Sequence, residues 1–390
     1  MTSHGGISRR ISDVRPSGIR EIFDLAENYA NVISLGIGEP DFKTPDFVNS
    51  AAKRAIDEGF DKYTANKGLL ELREEISKKL KRENRITADP KKEILVTAGA
   101  TQAIFLVMGS LLDDGDEVLI PTPAFPAYEY SVLLSGGKPV EIPLDRSEDF
   151  CFDFDNLEKN VSERTKVIIL NSPCNPTGVV HSEKEINRLA EFALEHALYL
   201  LSDEIYEKYL YGGAKHYSPA SRDEFRSRVI TINGFSKTYS MTGWRLAYAA
   251  ANEEIISAMT RLQMYDAVCA NSIAQKAGIA ALKGGLTFFD PILKNYDHSR
   301  EIVCKYLNEM SLPFANPVGA FYVFPNISAI TKSTASYCKQ LLMQEQVATA
   351  PGASFGKAGE NHIRLSYSTK DSLLAEAMER MKKFNRNFAM

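Results

Sequence analysis

Apolar residues recur along this chain with two different periods. Over residues 46–58 and 68–83 they return at near-helical spacing. In the second stretch Leu69, Leu70, Leu72, Ile76 and Leu80 stand among Glu, Lys and Arg, which predicts amphipathic helices. From residue 93 to residue 233 short apolar runs take over. Residues 93–97, 116–120, 166–170, 197–202 and 228–233 each read as a strand leading into a loop or a helix. The run 166–170 is continuously apolar, as a strand covered on both faces of a parallel sheet should be. Helices are predicted over 102–112 and 183–196, and turn formers open loops at 121–126 and 171–178. Repeated strand–loop–helix units predict an α/β fold, a mostly parallel sheet flanked by helices. Ligands of such sheets sit at the carboxyl ends of the strands. The polar residues with chemical potential in this chain fall at those ends.

Past residue 285 the texture changes. A helical stretch at 289–309 is followed by a strand-like run at 319–325, another helix, a short strand near 346–350 and a last one at 362–366. This predicts a smaller α+β domain, with the strand-like piece 32–35 packing against it. The expected division is an N-terminal arm and part of the small domain (1–44), a large domain (45–285) and a small C-terminal domain (286–390). A chain of 390 residues is long for a single core, which suits two domains.

Composition narrows the function. The net charge is −4 with no basic cluster, so nucleic acid is not an expected partner. No apolar run approaches the roughly 20 residues of a membrane helix, and residues 1–10 lack the apolar core of a signal peptide. Cys151, Cys174, Cys269, Cys304 and Cys338 show neither CxxC nor CxH spacing, which reads as reduced thiols in a cytoplasmic protein without a metal site. No G-x-G-x-x-G follows a strand, which ranks a nicotinamide dehydrogenase low.

Lys237 is the leading candidate for chemistry. A nucleophilic lysine needs a lowered pKa, from burial or a neighbouring cation. Arg245, eight residues on, supplies such a cation and suits a phosphate. Gly234, Ser236 and Gly243 leave room for backbone to approach a ligand. An isolated Ser-Lys reads as a surface turn. This one follows a buried strand and lies close to the chain's only tryptophan, Trp244.

Residues 234–247, GFSKTYSMTGWRLA, resemble the pyridoxal-phosphate (PLP) attachment signature of the class I/II aminotransferases, fold type I, position by position. Residues 35–41 (LGIGEPD), 98–101, 171–178 (NSPCNPTG), 202–206 (SDEIY) and 363–366 recur in family order, so the resemblance spans nearly the whole chain. It is nearest to the archaeal and bacterial subgroup of aspartate or aromatic amino-acid aminotransferases. The resemblance implies that Lys237 bonds the cofactor covalently and, once released by substrate, moves a proton at the substrate α-carbon. It implies that Asp203 pairs with the protonated pyridine nitrogen, and that Asn175 and Tyr206 hydrogen-bond the cofactor's phenolic oxygen. Gly99, Ala100, Thr101, Ser236 and Arg245 would hold the phosphate, the first three at a helix N-terminus. Phe125 would stack on the ring. Arg364 would grip the substrate carboxylate with its planar fork, with Gly38, Phe125 and Asn175 lining the substrate site. Tyr63 resembles the tyrosine that reaches a neighbouring subunit's phosphate, implying a homodimer with a shared active site. Taken singly, each has a plainer reading: Asp203 a helix cap, Tyr206 a core aromatic, Asn175 a turn residue, Arg364 a solvated arginine.

The chain departs from the family pattern at two positions. Gly234 stands where many relatives have a phosphate-binding serine, leaving more to Ser236 and Arg245. Thr101 stands where aspartate-specific bacterial relatives have a lysine. With Phe125, it favours an aromatic or broad-specificity enzyme, while aspartate stays open because an arginine from elsewhere could replace that lysine. The expected function is transfer of an amino group from an L-amino acid to a 2-oxo acid such as 2-oxoglutarate, by a ping-pong mechanism. The alternatives are an aspartate aminotransferase and a PLP-dependent β-lyase of the same fold.

Overall fold

The structure, a computed structural model, describes residues 6, 8–12, 14, 18–145 and 149–388. Most of the N-terminal stretch read for a leader, residues 1–5 and 7, lies outside them. The centre is a seven-stranded sheet in the order β2-β8-β7-β6-β5-β3-β4. Its strands are β2 (Ile94–Thr97), β3 (Glu117–Thr122), β4 (Lys138–Pro143), β5 (Thr165–Asn171), β6 (Tyr199–Asp203), β7 (Val229–Gly234) and β8 (Ala247–Ala250). Strands β3 to β7 run parallel, and β8 is antiparallel to both its neighbours, β2 and β7.

The period of two along a strand explains the apolar runs. On β5, Ile168 and Leu170 face one apolar cluster while Val167 and Ile169 face another. Helices Asp46–Asp57, Leu70–Lys79, Glu183–Glu195 and Ser272–Gly284 cover the first face with residues such as Val48, Leu72, Ile186 and Ala277. Helices Ala100–Leu111, Ala127–Leu134 and Glu253–Asp266 cover the second with Ile104, Val132 and Ile256. Local chemistry sets the boundaries. Ser182 and Glu185 close a reciprocal capping box that starts the helix Glu183–Glu195.

A third cluster gathers the C-terminal helices Phe289–Glu309, Thr334–Glu345 and Asp371–Phe388 with the short strands that follow residue 319. There β9 (Tyr322–Val323), β11 (Ala350–Pro351) and β12 (Ile363–Ser366) form an antiparallel sheet in the order β11-β12-β9. The N-terminal β1 (Ile33–Ser34) pairs in parallel with β10 (Val347–Ala348), which seats the 32–35 segment among the C-terminal elements. The strand expected over 319–325 is only two residues long. Gly319 is pressed against Val180 and Pro173, so its backbone serves packing against another segment. The helix expected to reach residue 83 changes to a π-helical turn at Leu80–Asn84, where Asn84 is buried and bonded to Glu204, Glu207 and Ser218. Among the described residues no helix is long and apolar enough to cross a membrane.

The register brings separate loops to one edge of the sheet. Asn171 pairs with Asp203 at the carboxyl ends of β5 and β6, and β7 ends at Gly234, opposite Ala247. Thr97, at the end of β2, also pairs with Ala247. The loops carrying Gly99, Asn175, Lys237 and Arg245 therefore open on the same side.

Candidate active site

A cavity of about 570 Å³ lies at that edge, within the usual size of a small-molecule site. It is lined by Gly38, Ala100, Thr101, Phe125, Asn175, Asp203, Tyr206, Ser236, Lys237, Arg245 and Arg364 among others. Of the residues singled out in the sequence, Gly99 lies just behind this lining. Tyr63 is not part of it; it stands on the surface, 84% exposed.

One end of the cavity suits an anion. Gly99 precedes the helix Ala100–Leu111 with φ 91°, a conformation that glycine adopts without strain. A Cβ at Gly99 would run into the Arg245 guanidinium, so the glycine lets that cation lie against the helix N-terminus. Arg245 Nη1 donates to the Thr242 carbonyl at 2.9 Å. The Ser236 side chain and the first turn of the helix border the same space.

Asp203 is 4% exposed at the end of β6. Its carboxylate accepts from Tyr128 Oη at 2.8 Å and from the Ile205 amide at 3.2 Å. Burial pushes it up to about 6, although the Tyr128 hydrogen bond works against the rise. Lys237 Nζ donates to the Gly38 carbonyl at 2.5 Å. Burial, and then the Arg364 charge, pull this ammonium down to about 8. A proton-accepting amine and a proton-holding carboxylate thus face one space.

Arg364 is buried, and its contacts fix its plane. Nη1 donates to Asn175 Oδ1 at 2.9 Å and Nη2 to the Gly36 carbonyl at 2.6 Å, while Nε has no partner. The guanidinium carbon lies 4.4 Å from the Tyr322 ring centroid and 4.9 Å from that of Phe355. Nη1 and Nη2 each keep a second N–H beyond those bonds, and a buried guanidinium lining a cavity suits a carboxylate. Asn171 braces Asn175 from behind: its Oδ1 accepts the Asn175 amide at 2.8 Å and its Nδ2 donates to the Asp203 carbonyl at 3.1 Å.

Several lining residues carried no sequence signal. Tyr128 was hidden in the first turn of a helix, and Tyr322 in an apolar run. Ile19 and Phe23, on the helix Gly18–Ala26, wall the cavity beside Ile104. Their apolar spacing was the available sign, but nothing local marks which cavity a helix will face.

Glu204, Glu207 and His216 bring ligand-type atoms within 4.8 Å of one another, the only such group among the described residues. The two carboxylates already have protein partners, and His216 Nε2 lies 3.0 Å from Glu204, while its Nδ1 has no partner. Lys79 bonds Glu207, Asn84 Nδ2 donates to both carboxylates, and Ser218 Oγ donates to Glu204 at 2.6 Å. This is a buried ion-pair network.

The family model of aminotransferase class I and II matches residues 30–381. An aspartate aminotransferase of Pyrococcus abyssi is 49% identical over 379 residues, 97% of each chain. An aromatic-amino-acid aminotransferase 2 of Thermococcus litoralis is 45% identical, again over 97% of both chains. The crystal structure of an aromatic aminotransferase from Pyrococcus horikoshii matches with a TM-score of 0.90 at 47% identity, covering 95% of this chain and 100% of that one.

Proposed function

The chain belongs to the aminotransferases of class I and II, and from that premise we propose that its cavity binds pyridoxal 5′-phosphate, held covalently by Lys237. The reading rests chiefly on one observation: the Lys237 amine, the Asp203 carboxylate and the Arg364 fork all line a single cavity. Other features fit the cofactor. The Gly99–Arg245 cradle suits its phosphate, and the buried Asp203, raised to about 6, suits a basic ring nitrogen with which it can share a proton. When bound, PLP supplies the electron sink that weakens bonds at the substrate α-carbon.

The chain's own residues do the rest. Arg364 clamps the α-carboxylate through the N–H groups that Nη1 and Nη2 do not spend on Asn175 and Gly36. Asn175 holds that fork in plane. Lys237 Nζ, with a pKa near 8, would take the proton from the substrate α-carbon and pass it to the C4′ carbon of the cofactor, which a fully charged lysine could not do. Tyr206 and Asn175, which line the cavity, would hydrogen-bond the cofactor's phenolic oxygen, and Phe125 would pack on its ring. The donor would leave its amino group on the cofactor and depart as a 2-oxo acid, and a second 2-oxo acid such as 2-oxoglutarate would then enter and take that amino group, a ping-pong sequence.

The preferred donor on this reading is an aromatic or large apolar amino acid. The cations lining the cavity are Lys237, Arg245 and Arg364, each with a task above, and Thr101 offers no further charge. Ile19, Phe23, Ile104 and Phe125 supply apolar wall instead. Aspartate is the second reading, favoured by the name of the Pyrococcus abyssi relative.

Assembly as a homodimer is supported by Tyr63, exposed yet on an anchored loop, which would reach the phosphate in the neighbouring subunit. A large unit over 45–285, and a smaller one made of 286–390 with part of 1–44, is supported by most of the apolar clustering, although Ile205, Tyr206, Tyr209 and Tyr211 pack with the C-terminal elements and Phe324 and Phe355 with the large core. Five cysteines with no disulfide among the described residues suit a cytoplasmic location.

The test is a panel of L-amino acids with 2-oxoglutarate and PLP, reading glutamate. Tyrosine or phenylalanine should lead aspartate by at least about tenfold in kcat/KM, a difference of ~1.4 kcal/mol in barrier. Lys237→Ala should lose both turnover and the absorbance of the lysine-bound cofactor. Near-native turnover in that variant would refute the assignment.

A further inference from the structure

We propose that Tyr322 is a positioning residue that ties together the two ends of the cavity: its hydroxyl orients the Tyr206 phenol, and its ring supports the Arg364 guanidinium. The inference rests on the reading of the cavity given above.

Tyr322 lies on β9 and is 1% exposed, yet it borders the cavity. Its partner across the ladder is Ser366 on β12, so Arg364, two residues before Ser366, projects from the same face of that strand. This places the guanidinium over the Tyr322 ring, at 4.4 Å. At its far end the Tyr322 hydroxyl is 2.7 Å from the Tyr206 hydroxyl. A Cβ at Gly38 would collide with that same Tyr322 hydroxyl, and the Gly38 carbonyl receives Lys237 Nζ. One side chain therefore touches the tyrosine, the arginine and the backbone that seats the lysine.

The plain alternative is a core tyrosine that happens to find a partner. Packing alone would be served by phenylalanine, which stands on either side of the strand at 321 and 324. The hydroxyl needs its own reason. Between two phenols one proton must lie in the shared bond. If Tyr206 donated to Tyr322, it would have no proton left for an acceptor in the cavity. If Tyr322 donates, Tyr206 is left with its O–H directed to the ligand and is polarised into a stronger donor. An anionic oxygen in the cavity selects the second arrangement. Tyr322 thereby favours the unprotonated, more negative form of the bound cofactor.

The test uses the PLP-loaded enzyme without amino-acid substrate. Tyr322→Phe should raise the pH midpoint of the cofactor's absorbance change by about half to one unit, a three- to tenfold change in proton affinity. In a Tyr206→Phe background the same substitution should add nothing, because the two residues act in series. Affinity for 3-phenylpropionate, an unreactive carboxylate, should stay within about twofold in Tyr322→Phe and weaken at least about tenfold in Tyr322→Leu, which loses the ring. An unshifted midpoint in Tyr322→Phe, an equal shift with and without Tyr206, or native carboxylate affinity in Tyr322→Leu would overturn the proposal. Tyr322→Phe preserves the packing, so the role of the hydroxyl is decided by that variant even if Tyr322→Leu does not fold. If the unsubstituted protein shows no cofactor absorbance that Lys237→Ala removes, the cofactor reading itself fails and the role of Tyr322 falls with it. A normal signal that is indifferent to Tyr322 overturns this inference alone.

Discussion

Asp203 is a carboxylate folded into surroundings that favour its neutral form, and that preference has a cost that can be measured. Burial raises it to about 6. Between roughly pH 4 and 6 the folded chain holds a proton that the unfolded chain has released, so stability falls as pH rises through that window. Above pH 6 the full penalty, about 3 kcal/mol, is in place. Asp203→Asn keeps an acceptor for Tyr128 and removes the buried charge. We expect it to raise the melting temperature of the cofactor-free protein at pH 8, to lose that advantage near pH 4, and to reduce transamination at least about a hundredfold. Equal melting at both pH values would contradict this account. Thr101 carries the substrate argument. Thr101→Lys should raise the ratio of aspartate to tyrosine kcat/KM at least about tenfold, measured with the same 2-oxo acid, since a charge would then meet the second carboxylate. Lys237, Asp203, Arg364 and Asn175 were legible because each sits in a motif whose neighbours are legible too. Tyr128 and Tyr322 were not. A tyrosine inside an apolar run looks the same whether its hydroxyl meets Asp203, Tyr206 or a backbone carbonyl, and only tertiary register decides.

At the scale of elements, the hydrophobic period was a sound guide for strands covered on both faces by large apolar side chains. It gave β3, β5, β6 and β7 to within a residue or two. It failed for β4, which lies at the sheet edge with Lys138, Pro139, Glu141 and Pro143 and is mostly open to solvent on its far side. It failed also for β8, whose Ala247–Ala250 holds three alanines and no β-branched residue. The small side chains of β8 have a structural reason that bears on the site. A Cβ on Gly234 would stand 2.7 Å from the Cβ of Ala247 and 2.9 Å from its Cα. The missing serine at 234 therefore reflects close contact between β7 and β8, and restoring it should not help phosphate binding. Gly234→Ser should cost about 1–3 kcal/mol in urea unfolding, with no gain in cofactor affinity. Ala247→Gly should restore part of that loss in the double variant. A Gly234→Ser protein of native stability that binds PLP more tightly would show that the strands have room to part.

At the scale of the whole molecule, the cavity is built where the sheet edge meets the C-terminal elements. Tyr206, Tyr209 and Tyr211, which follow β6, are buried with Phe321, Tyr322 and Tyr296 and not against the sheet. That junction was foreseeable only through the family resemblance, because contacts so distant in sequence leave no local pattern. The same limit applies beyond one chain, and Tyr63 is the case in point. Its side chain is exposed, but its loop is fastened: Asn66 Nδ2 donates to the Val268 carbonyl at 2.8 Å, Gln263 Nε2 to the Asn66 carbonyl at 2.7 Å, and Gln275 Nε2 to Thr64 Oγ1 at 3.0 Å. Tyr63 and Tyr265, 84% and 83% exposed, are the most exposed large apolar side chains among the described residues, and Tyr265 stands only three residues from Val268. Both are accounted for if this face meets a second copy. If Tyr63 completes the neighbour's site, Tyr63→Ala and Lys237→Ala damage different sites when placed on different chains of one dimer. In a mixed dimer one site has lost both residues and the other has kept both. Mixed dimers isolated through two different affinity tags should therefore regain about half of the native turnover, although each parent dimer is impaired. If Tyr63 served its own subunit, or no site at all, the mixed dimer would do no better than the mean of its parents. Glutamate formation per dimer separates the two results, with the absorbance of lysine-bound PLP as an independent count of intact sites.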